Sequence, residues 1–331
     1  MPGGLASEAL GMLWALLVDF RRWGAVRTIT ALDPRFEERV PGLNRGTLPA
    51  DEVVIAAPGE HEETYLSLLM QCDAVLAVAP ETEGILANLA DQAEAAGKLL
   101  LGSSSSAVAT AGNKATCARL FDLTNLPAPQ TRTATFVSAP RVAEQMGCPL
   151  VIKPLDGAGS EGVCRLDRLS DLPDALALVR QATSQEQILL QSVASGVHTS
   201  ASLIVAGDRC TPLSLNLQLL ETGLPFKYLG SRVPFDHGSR TQALELACSA
   251  VSLIPGLCGY VGVDLVLGDD FIQLIEINPR LTTSYIGLRQ VAQVNLAQTI
   301  WDACRSGILP ERVPLAGQVE IFKDDPATWG L

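Results

Sequence analysis

The chain carries only three histidines, His61, His198 and His237, and they lie far apart. Its eight cysteines are scattered, with no Cys-x-x-Cys pair. A zinc site draws on such residues at short spacing, so the sequence points away from one. Basic residues are in deficit: 24 lysines and arginines face 36 acidic residues, a net charge of −12. No segment shows a basic stripe, which argues against a nucleic-acid partner. A polyanionic ligand must then be held by a few local cations and metal ions. Long apolar runs are missing too. The longest, residues 11–18, is closed by Asp19, well short of the roughly 20 residues that cross a bilayer. No basic stretch precedes it, so it does not read as a signal peptide, and no membrane partner is expected. Its spacing predicts a buried amphipathic helix starting near Ser7. Scattered cysteines without a leader predict reduced thiols and a cytoplasmic location.

What is present is ordinary globular composition. The 331 residues are 47% hydrophobic and punctuated by 28 glycines and 20 prolines, enough for two or three packed units of about 100 residues each. Strand signals at 26–31, 53–57, 74–79 and 98–101 alternate with helical stretches at 8–22, 62–70 and 82–96, which predicts an open parallel sheet. Ser103-Ser104-Ser105-Ser106 reads as a loop. A second unit starts near Asn113, with strands at 131–136, 150–154, 163–166 and 188–193 and helices at 141–147 and 171–182. The third portion is richer in strand: 200–205, 210–219, 262–267 and 271–277, the last two joined by a tight hairpin at Gly268-Asp269-Asp270. Helices are predicted at 239–253 and 291–305. There is no internal repeat.

Three constellations carry chemistry. In the first, Val151-Ile152-Lys153-Pro154 ends one strand signal and the glycine-rich stretch 156–162 leads into another. Glycines let backbone N–H groups approach phosphate oxygens, and a lysine supplies the countercharge. Residues 157–162 also satisfy Gly-x-Gly-x-x-Gly. A dinucleotide fingerprint needs a helix directly after it, yet Val163-Cys164-Arg165-Leu166 reads as a strand. The loop lacks a P-loop ending, and its lysine precedes the glycines where the kinase loop has it after them. An ordinary glycine hairpin with a surface lysine explains the segment as well. In the second constellation, Glu276 and Asn278 share one face of a strand, because i and i+2 point the same way. If 262–267 pairs with 271–277, Asp264 lies beside them. Three oxygen-bearing side chains suit magnesium, and an unpaired carboxylate among Leu274, Ile275 and Ile277 is costly. The alternative is a carboxylate paired with Arg280 or capping a turn. The third is Arg280-Leu281-Thr282-Thr283-Ser284. Arginine offers a planar fork for carboxylate or phosphate; equally, Thr283 or Ser284 caps a helix start, and capped starts also bind anions.

In this order, after Lys114, these residues resemble the ATP-grasp superfamily over nearly the whole chain. The resemblance implies an α/β fold, α+β in its ATP-grasp part. An N-terminal open parallel sheet with helices spans 1–106. Two ATP-grasp subdomains clasping ATP follow, a small one with the Gly-rich loop over 107–190 and a C-terminal one with the magnesium site over 191–331. Lys114 and Lys153 are implied at the ATP phosphates, with Lys153 also near the adenine. Asp156, Gly157, Gly159, Ser160 and Gly162 become part of the ATP-binding loop, and Gln191, Ser192 and Val193 the hinge edging the adenine. Asp264, Glu276 and Asn278 are implied as Mg2+ ligands, with Mn2+ as a substitute. Lys153 and Arg280 are the implied catalytic residues, Arg280 orienting the reacting carboxylate or phosphoryl group. Arg232, Thr282, Thr283 and Ser284 fall to the substrate.

Many relatives carry Gln-Glu-Tyr at the hinge and a ribose-binding glutamate shortly after; here Gln191-Ser192-Val193 precedes His198 at that place. More narrowly, several segments look like the branch of tyramine–glutamate ligase of methanofuran biosynthesis, in which His198 is expected. They are Ala6-Ser7-Glu8-Ala9-Leu10-Gly11-Met12-Leu13, residues 78–86, Gly196-Val197-His198-Thr199-Ser200 and residues 278–285. In that branch a strand precedes Gly3-Gly4, so the first strand of the N-terminal sheet is expected to be missing here, or the true start to lie earlier. Tyr228, Arg232 and His237 are pocket candidates, with an exposed loop as the equal alternative.

The implied activity is an ADP-producing carboxylate–amine ligase that forms an amide through an acyl phosphate. Its partners are small-molecule carboxylate and amine substrates, glutamate and tyramine or a tyrosine-like amine in that branch, with a homodimer allowed. Two rivals stay open. A catalytically silent ATP-binding module keeps the fold without turnover, although Lys153, Asp264, Glu276 and Asn278 are all intact. A nicotinamide-dependent oxidoreductase built on 157–162 requires a helix directly after Gly162.

Overall fold

A computed structural model describes residues 3–36 and 46–330. The apolar run lies in helix α1 (Gly3–Trp23), which begins ahead of Ser7. Positions before Gly3, and any strand there, lie outside the described residues. Strands β1 (Ile29–Leu32) and β2 (Glu52–Ile55) pair in parallel, as do β3 (Ala74–Val75) and β4 (Leu99–Leu100). Helices α2 (His61–Gln71) and α3 (Ile85–Ala95) alternate with them. The N-terminal unit is therefore parallel α/β as expected, but its ladders are short and form two separate two-stranded pairs rather than one sheet. The serine run is no loop. Ser104 accepts a hydrogen bond from the Ala107 N–H and caps α4 (Ser105–Gly112), so a cluster of turn-forming residues conceals a helix start.

Asn113 caps α5 (Lys114–Leu123) through the Thr116 N–H. A four-stranded antiparallel sheet follows, in the order β5 (Thr131–Thr135), β8 (Gln187–Ser192), β6 (Leu150–Pro154), β7 (Cys164–Leu166). Helices α6 (Ala139–Met146) and α7 (Leu172–Ala182) close its apolar side, where Ile152, Leu166, Val179 and Leu190 are fully buried. Period-2 alternation does the rest. With Ile152 in the core, Val151 and Lys153 face the other way.

A six-stranded antiparallel sheet completes the fold, ordered β13 (Ile272–Asn278), β12 (Cys258–Leu267), β9 (Val197–Ala206), β10 (Arg209–Glu221), β11 (Lys227–Val233), β14 (Val319–Phe322). The hairpin at 268–270 joins β12 and β13 as predicted, closed by the Gly268 N–H to the Phe271 carbonyl. Strand β11 takes the place of the loop alternative for 227–233. Helices α5 and α8 (Arg240–Val251) cover one face, over Leu215, Val261 and Val263. Helices α1, α9 (Ser284–Val291) and α10 (Leu296–Ser306) cover the other, over Ile204, Val233 and Ile321. The helix expected at 291–305 is α10, but it starts later, at Leu296, where Asn295 caps it through the Gln298 N–H; Val291 ends α9 instead. Cys210 on β10 and Cys248 on α8 are joined as a disulfide. This corrects the expectation of reduced thiols throughout. The pair is 38 residues apart in sequence, and only the packing of α8 on the sheet brings it together. No described helix is long and apolar enough to cross a membrane.

Asp19, which ends the apolar run, is buried and works as a tie. Arg289 Nε donates to one of its oxygens at 2.9 Å and Tyr285 OH to the other at 2.8 Å. Its backbone carbonyl accepts from Asn295 Nδ2 at 2.8 Å. One aspartate therefore fastens α1 to α9 and to the cap of α10. Removing one partner of a buried ion pair strands the other, at a cost of about 3–5 kcal/mol. Asp19→Ala is expected to lose stability on that order in urea unfolding, while Tyr285→Phe, which removes one neutral donor, loses about 1–2 kcal/mol. Equal stability of wild type and Asp19→Ala would show the tie to be idle.

Candidate active site

The two antiparallel sheets face each other across a cleft. The small sheet contributes Val151 and Lys153 from β6 and Gln191 and Ser192 from β8; the large sheet contributes His198, Gln218, Asp264 and Glu276. Lys153 is 3% exposed, so the surface-lysine alternative does not describe it. Lys114 opens α5, with its backbone N–H on the Leu155 carbonyl at 2.8 Å. Its Nζ donates to the Gly157 carbonyl at 3.0 Å and pairs with Glu276 Oε2 at 3.3 Å. One lysine thus ties the glycine loop to β13.

Asp264 stands directly opposite Glu276 across the β12–β13 ladder, and Asn278 opposite Gly262. Two carboxylates side by side cannot both ionise freely. Burial, and then the Glu276 charge, hold the Asp264 carboxyl well above the usual carboxylate range. Burial works the same way on Glu276, but Lys114 and Lys153 outweigh it and hold Glu276 below that range. Lys153 is pushed down to about 8 by burial, with Glu276 pulling the other way. Lys114 is raised despite burial, because Glu276 and Glu81 stand near it. Glu276 is therefore partnered by Lys114, not by Arg280. Gln218 stands beside Asp264 in the cleft lining and works against the rise of its carboxyl.

The glycine loop takes backbone conformations that side chains resist. Gly157, Gly159 and Gly162 have φ of 120°, 67° and 67°, and Ser160 joins them at 64°. A Cβ on Gly162 would lie 2.5 Å from the Ala182 Cβ. Strand β7 follows, not a helix, so the context required of a dinucleotide fingerprint is absent. Asp156, Gly157, Gly159 and Ser160 line the cleft; Gly162 shapes the loop from outside it. At the hinge, Gln191 Nε2 donates to Thr131 Oγ1 at 2.9 Å, while the Val193 N–H meets the Pro149 carbonyl at 3.4 Å. His198 packs edge-on to Phe226 across the cleft mouth, and burial, then Arg165, lower its pKa.

The remaining predicted residues lie beside the cleft. Arg280 Nε pairs with Glu81 Oε2 at 2.9 Å. Thr283 Oγ1 donates to Glu8 at 2.8 Å, Thr282 Oγ1 meets Tyr260 OH at 3.1 Å, and Ser284 Oγ meets Ser200 Oγ at 3.4 Å. Neither Thr283 nor Ser284 caps α9 with its side chain. Arg232 is engaged by Glu320 on β14 at 2.7 Å, and His237 Nδ1 accepts the Ser239 N–H at the start of α8; neither lines the cleft. Tyr228 is half-buried on β11. Sequence reasoning missed Gln218, Phe226 and Glu81. Gln218 shares a strand face with Asn216, so period-2 alternation could have exposed it. No local pattern announces the other two.

Among the described residues no three of His, Cys, Asp and Glu gather around one point. The candidate metal centre is instead two carboxylates and an amide, all hard oxygen donors. Burial, and then the Glu276 charge, raise the Asp264 carboxyl, and a divalent ion bound between the two would oppose that shift. The residues present fit magnesium on this chemistry.

A lysine-backed glycine loop on one antiparallel sheet, facing paired carboxylates on another, defines a nucleotide-clasping domain. The chain belongs to the ATP-grasp family: residues 111–284 match the ATP-grasp domain and residues 26–108 the pre ATP-grasp 3 domain. It is 35% identical over 240 residues to a tyramine–L-glutamate ligase of Methanocaldococcus jannaschii, covering 72% of this chain and 66% of that protein. It is 35% identical over 218 residues to the namesake of Methanocaldococcus fervens, covering 66% and 62%. The match therefore spans a little under two thirds of both ligases' own lengths. The biotin carboxylase of Campylobacter jejuni superposes with a TM-score of 0.76 at 16% identity, over 94% of this chain and 72% of that one. At that identity the likeness shows the fold alone.

The depressed pKa of Lys153 sets a pH dependence. Below about 8 its ammonium is charged; above, it is neutral and would have to take up a proton before pairing with a phosphate. ATP affinity is expected to be flat from pH 7 to 7.5 and to weaken above 8, by up to about tenfold per unit. Lys153→Arg, whose guanidinium stays charged, should remove the slope whatever its absolute affinity. Calorimetric titration of ATP from pH 7 to 9.5 checks this; a level wild-type profile contradicts it.

Proposed function

We propose that the chain is an ATP-dependent carboxylate–amine ligase that forms an amide through an acyl phosphate. The observation that carries this reading is the convergence of Lys114, Lys153, Asp264 and Glu276 at one end of the cleft, beneath the glycine loop. Carboxylates are poor acyl donors because oxide is a poor leaving group, and phosphorylation corrects that. In the first step a carboxylate oxygen of the donor attacks the γ-phosphorus of ATP, and ADP leaves. In the second an amine nitrogen attacks the acyl carbon, the C–O bond to phosphate breaks, and the nitrogen loses a proton.

Charge develops on phosphoryl oxygens in both steps, so positioning and electrostatics carry the catalysis. Lys153 and Lys114 supply fixed positive charge at the phosphates, and Asp156, Gly157, Gly159, Ser160 and Gly162 form the loop over them. Gln191, Ser192, Val193 and His198 edge the nucleoside. Asp264, Glu276 and Asn278 would hold magnesium, or manganese in its place, which when bound offsets phosphate charge. Arg280 orients the donor carboxylate, and Thr282, Thr283 and Ser284 serve the substrate side, while Arg232, paired with Glu320 outside the cleft, takes no part in it. Closure of the glycine loop keeps water from the acyl phosphate.

The names of the two ligases at 35% identity support glutamate as donor and tyramine, or a tyrosine-like amine, as acceptor. On that reading the product feeds methanofuran-type cofactor synthesis in the cytoplasm, and the protein works as a monomer or homodimer on small molecules. The second reading is a silent ATP-binding module, which predicts nucleotide binding without ADP release.

Purified protein with ATP, magnesium, glutamate and tyramine is expected to release ADP only when both substrates are present. ADP release indifferent to the amine would remove the substrate assignment. Lys153→Ala and Glu276→Ala should each lower kcat by about 100-fold or more, the scale at which single electrostatic stabilisers act. Full turnover by either variant would remove the site assignment.

A further inference from the structure

Pro80-Glu81-Thr82-Glu83-Gly84 connects β3 to α3 in the N-terminal unit. It contributes nothing to the lining of the cleft, yet it touches both of the elements that must act together there. Glu81 Oε2 accepts from Arg280 Nε at 2.9 Å, in a pair only 5% and 12% exposed. The other two Arg280 nitrogens are held as well, Nη1 by the Leu281 carbonyl at 3.1 Å and Nη2 by Asn278 Oδ1 at 3.4 Å. Without Glu81 the guanidinium keeps only contacts from its own strand end. Two residues on, the Glu83 N–H donates to Asp156 Oδ2, at the base of the glycine loop, at 2.8 Å. Glu83 Oε1 accepts from Ser184 Oγ at 3.1 Å, beyond the end of α7 in the same small-sheet unit. Glu83 has φ of 53°, a left-handed turn that lets one short segment present a backbone donor one way and the Glu81 side chain the other.

We propose that Glu81 is a positioning residue for Arg280, and that segment 80–84 is a latch which sets the arginine only when the glycine loop is docked through Asp156. This rests on the ligase reading for its kinetic consequence, though not for its geometry. Among the described residues of the N-terminal unit, this segment joins the glycine loop to the strand end that carries Arg280. Buried charge pairs are a suitable material for such a latch. They are directional, and a broken one leaves an uncompensated charge, so intermediate positions are disfavoured. Both carboxylates also keep one buried oxygen, Glu81 Oε1 and Asp156 Oδ1, with no hydrogen-bond partner among the described residues. Neither group is saturated where it sits, as befits contacts that form and release.

The test is a double-mutant cycle on ADP release with Glu81→Gln, Asp156→Ala and the double variant, read as kcat and KM for ATP. Glu81→Gln is expected to lower kcat tenfold or more while KM for ATP changes less than threefold, since Glu81 touches no nucleotide. The double variant is expected to be no slower than about twofold below the worse single variant, because either break opens the same latch. Glu81→Asp, which keeps the charge on a shorter arm, should retain more activity than Glu81→Gln. Glu81→Gln within twofold of wild-type kcat, or effects that multiply in the double variant, would overturn the proposal. A purely structural role would instead lower the melting temperature and shift KM and kcat together. If the wild type releases no amine-dependent ADP, the ligase reading fails by itself. The latch is then read by amide hydrogen exchange at 80–84 and 156–162, where faster exchange in Glu81→Gln supports it and unchanged exchange overturns it.

Discussion

The pairing of Lys114 with Glu276 governs the site. Glu276 sits on a strand whose neighbours Leu274 and Ile277 are core residues, and a second carboxylate stands across the ladder from it. Left alone, such a pair would protonate, and the face would lose the charge that makes it a cation site. Two buried lysines arriving from another part of the chain keep Glu276 ionised, and Glu276 in turn keeps Lys114 charged. Because Lys114 also holds the Gly157 carbonyl, the same ion pair fixes the base of the glycine loop over the cleft. The halves proposed to bind phosphate and metal are thus set by one contact rather than by two independent designs.

The rest of the fold can be understood as support for that contact. Antiparallel sheets with one covered face leave alternate residues for the cleft, which is how Ile152 serves a core while Lys153 serves a site. Helix α5 delivers Lys114 because Asn113 caps it and the Lys114 N–H bonds the Leu155 carbonyl at the end of β6. On the far side, α1 is stitched to α9 by the buried Asp19–Arg289–Tyr285 group. That group steadies the turn carrying Arg280, Thr282 and Thr283. The N-terminal unit therefore bears on the site from two directions, through α1 and through segment 80–84, although its own parallel ladders are short.

Much of this was legible along the chain, and the reason is local periodicity. The strand 150–154, the hairpin at 268–270, the facing of Glu276 and Asn278, and the strand after Gly162 all follow from alternation or turn chemistry. The last of these separates the glycine loop from a dinucleotide fingerprint. Errors fall where local signals are silent or ambiguous. A run of four serines looks like a loop until one of them caps a helix. The helix expected from 291 starts only at Leu296, because Asn295 caps it there. Residues 227–233 carry no clear alternation, and become strand β11 because β10 and β14 offer partners on both sides.

By itself the sequence determined which residues carry charge, hydroxyls and glycine, and on which face of each element they point, because those follow from composition and from periods of 2 and 3.6 residues. It determined the family as well, since the order of lysine, glycine loop and closing carboxylates survives along the chain. It could not determine who partners whom. Glu276 with Lys114, Arg280 with Glu81, Arg232 with Glu320 and Cys210 with Cys248 are contacts between distant segments. A charged or reactive side chain accepts any complementary group the fold brings near. Only the tertiary structure decides which one arrives, and with it whether a given arginine is a substrate clamp, a strut or a surface pair.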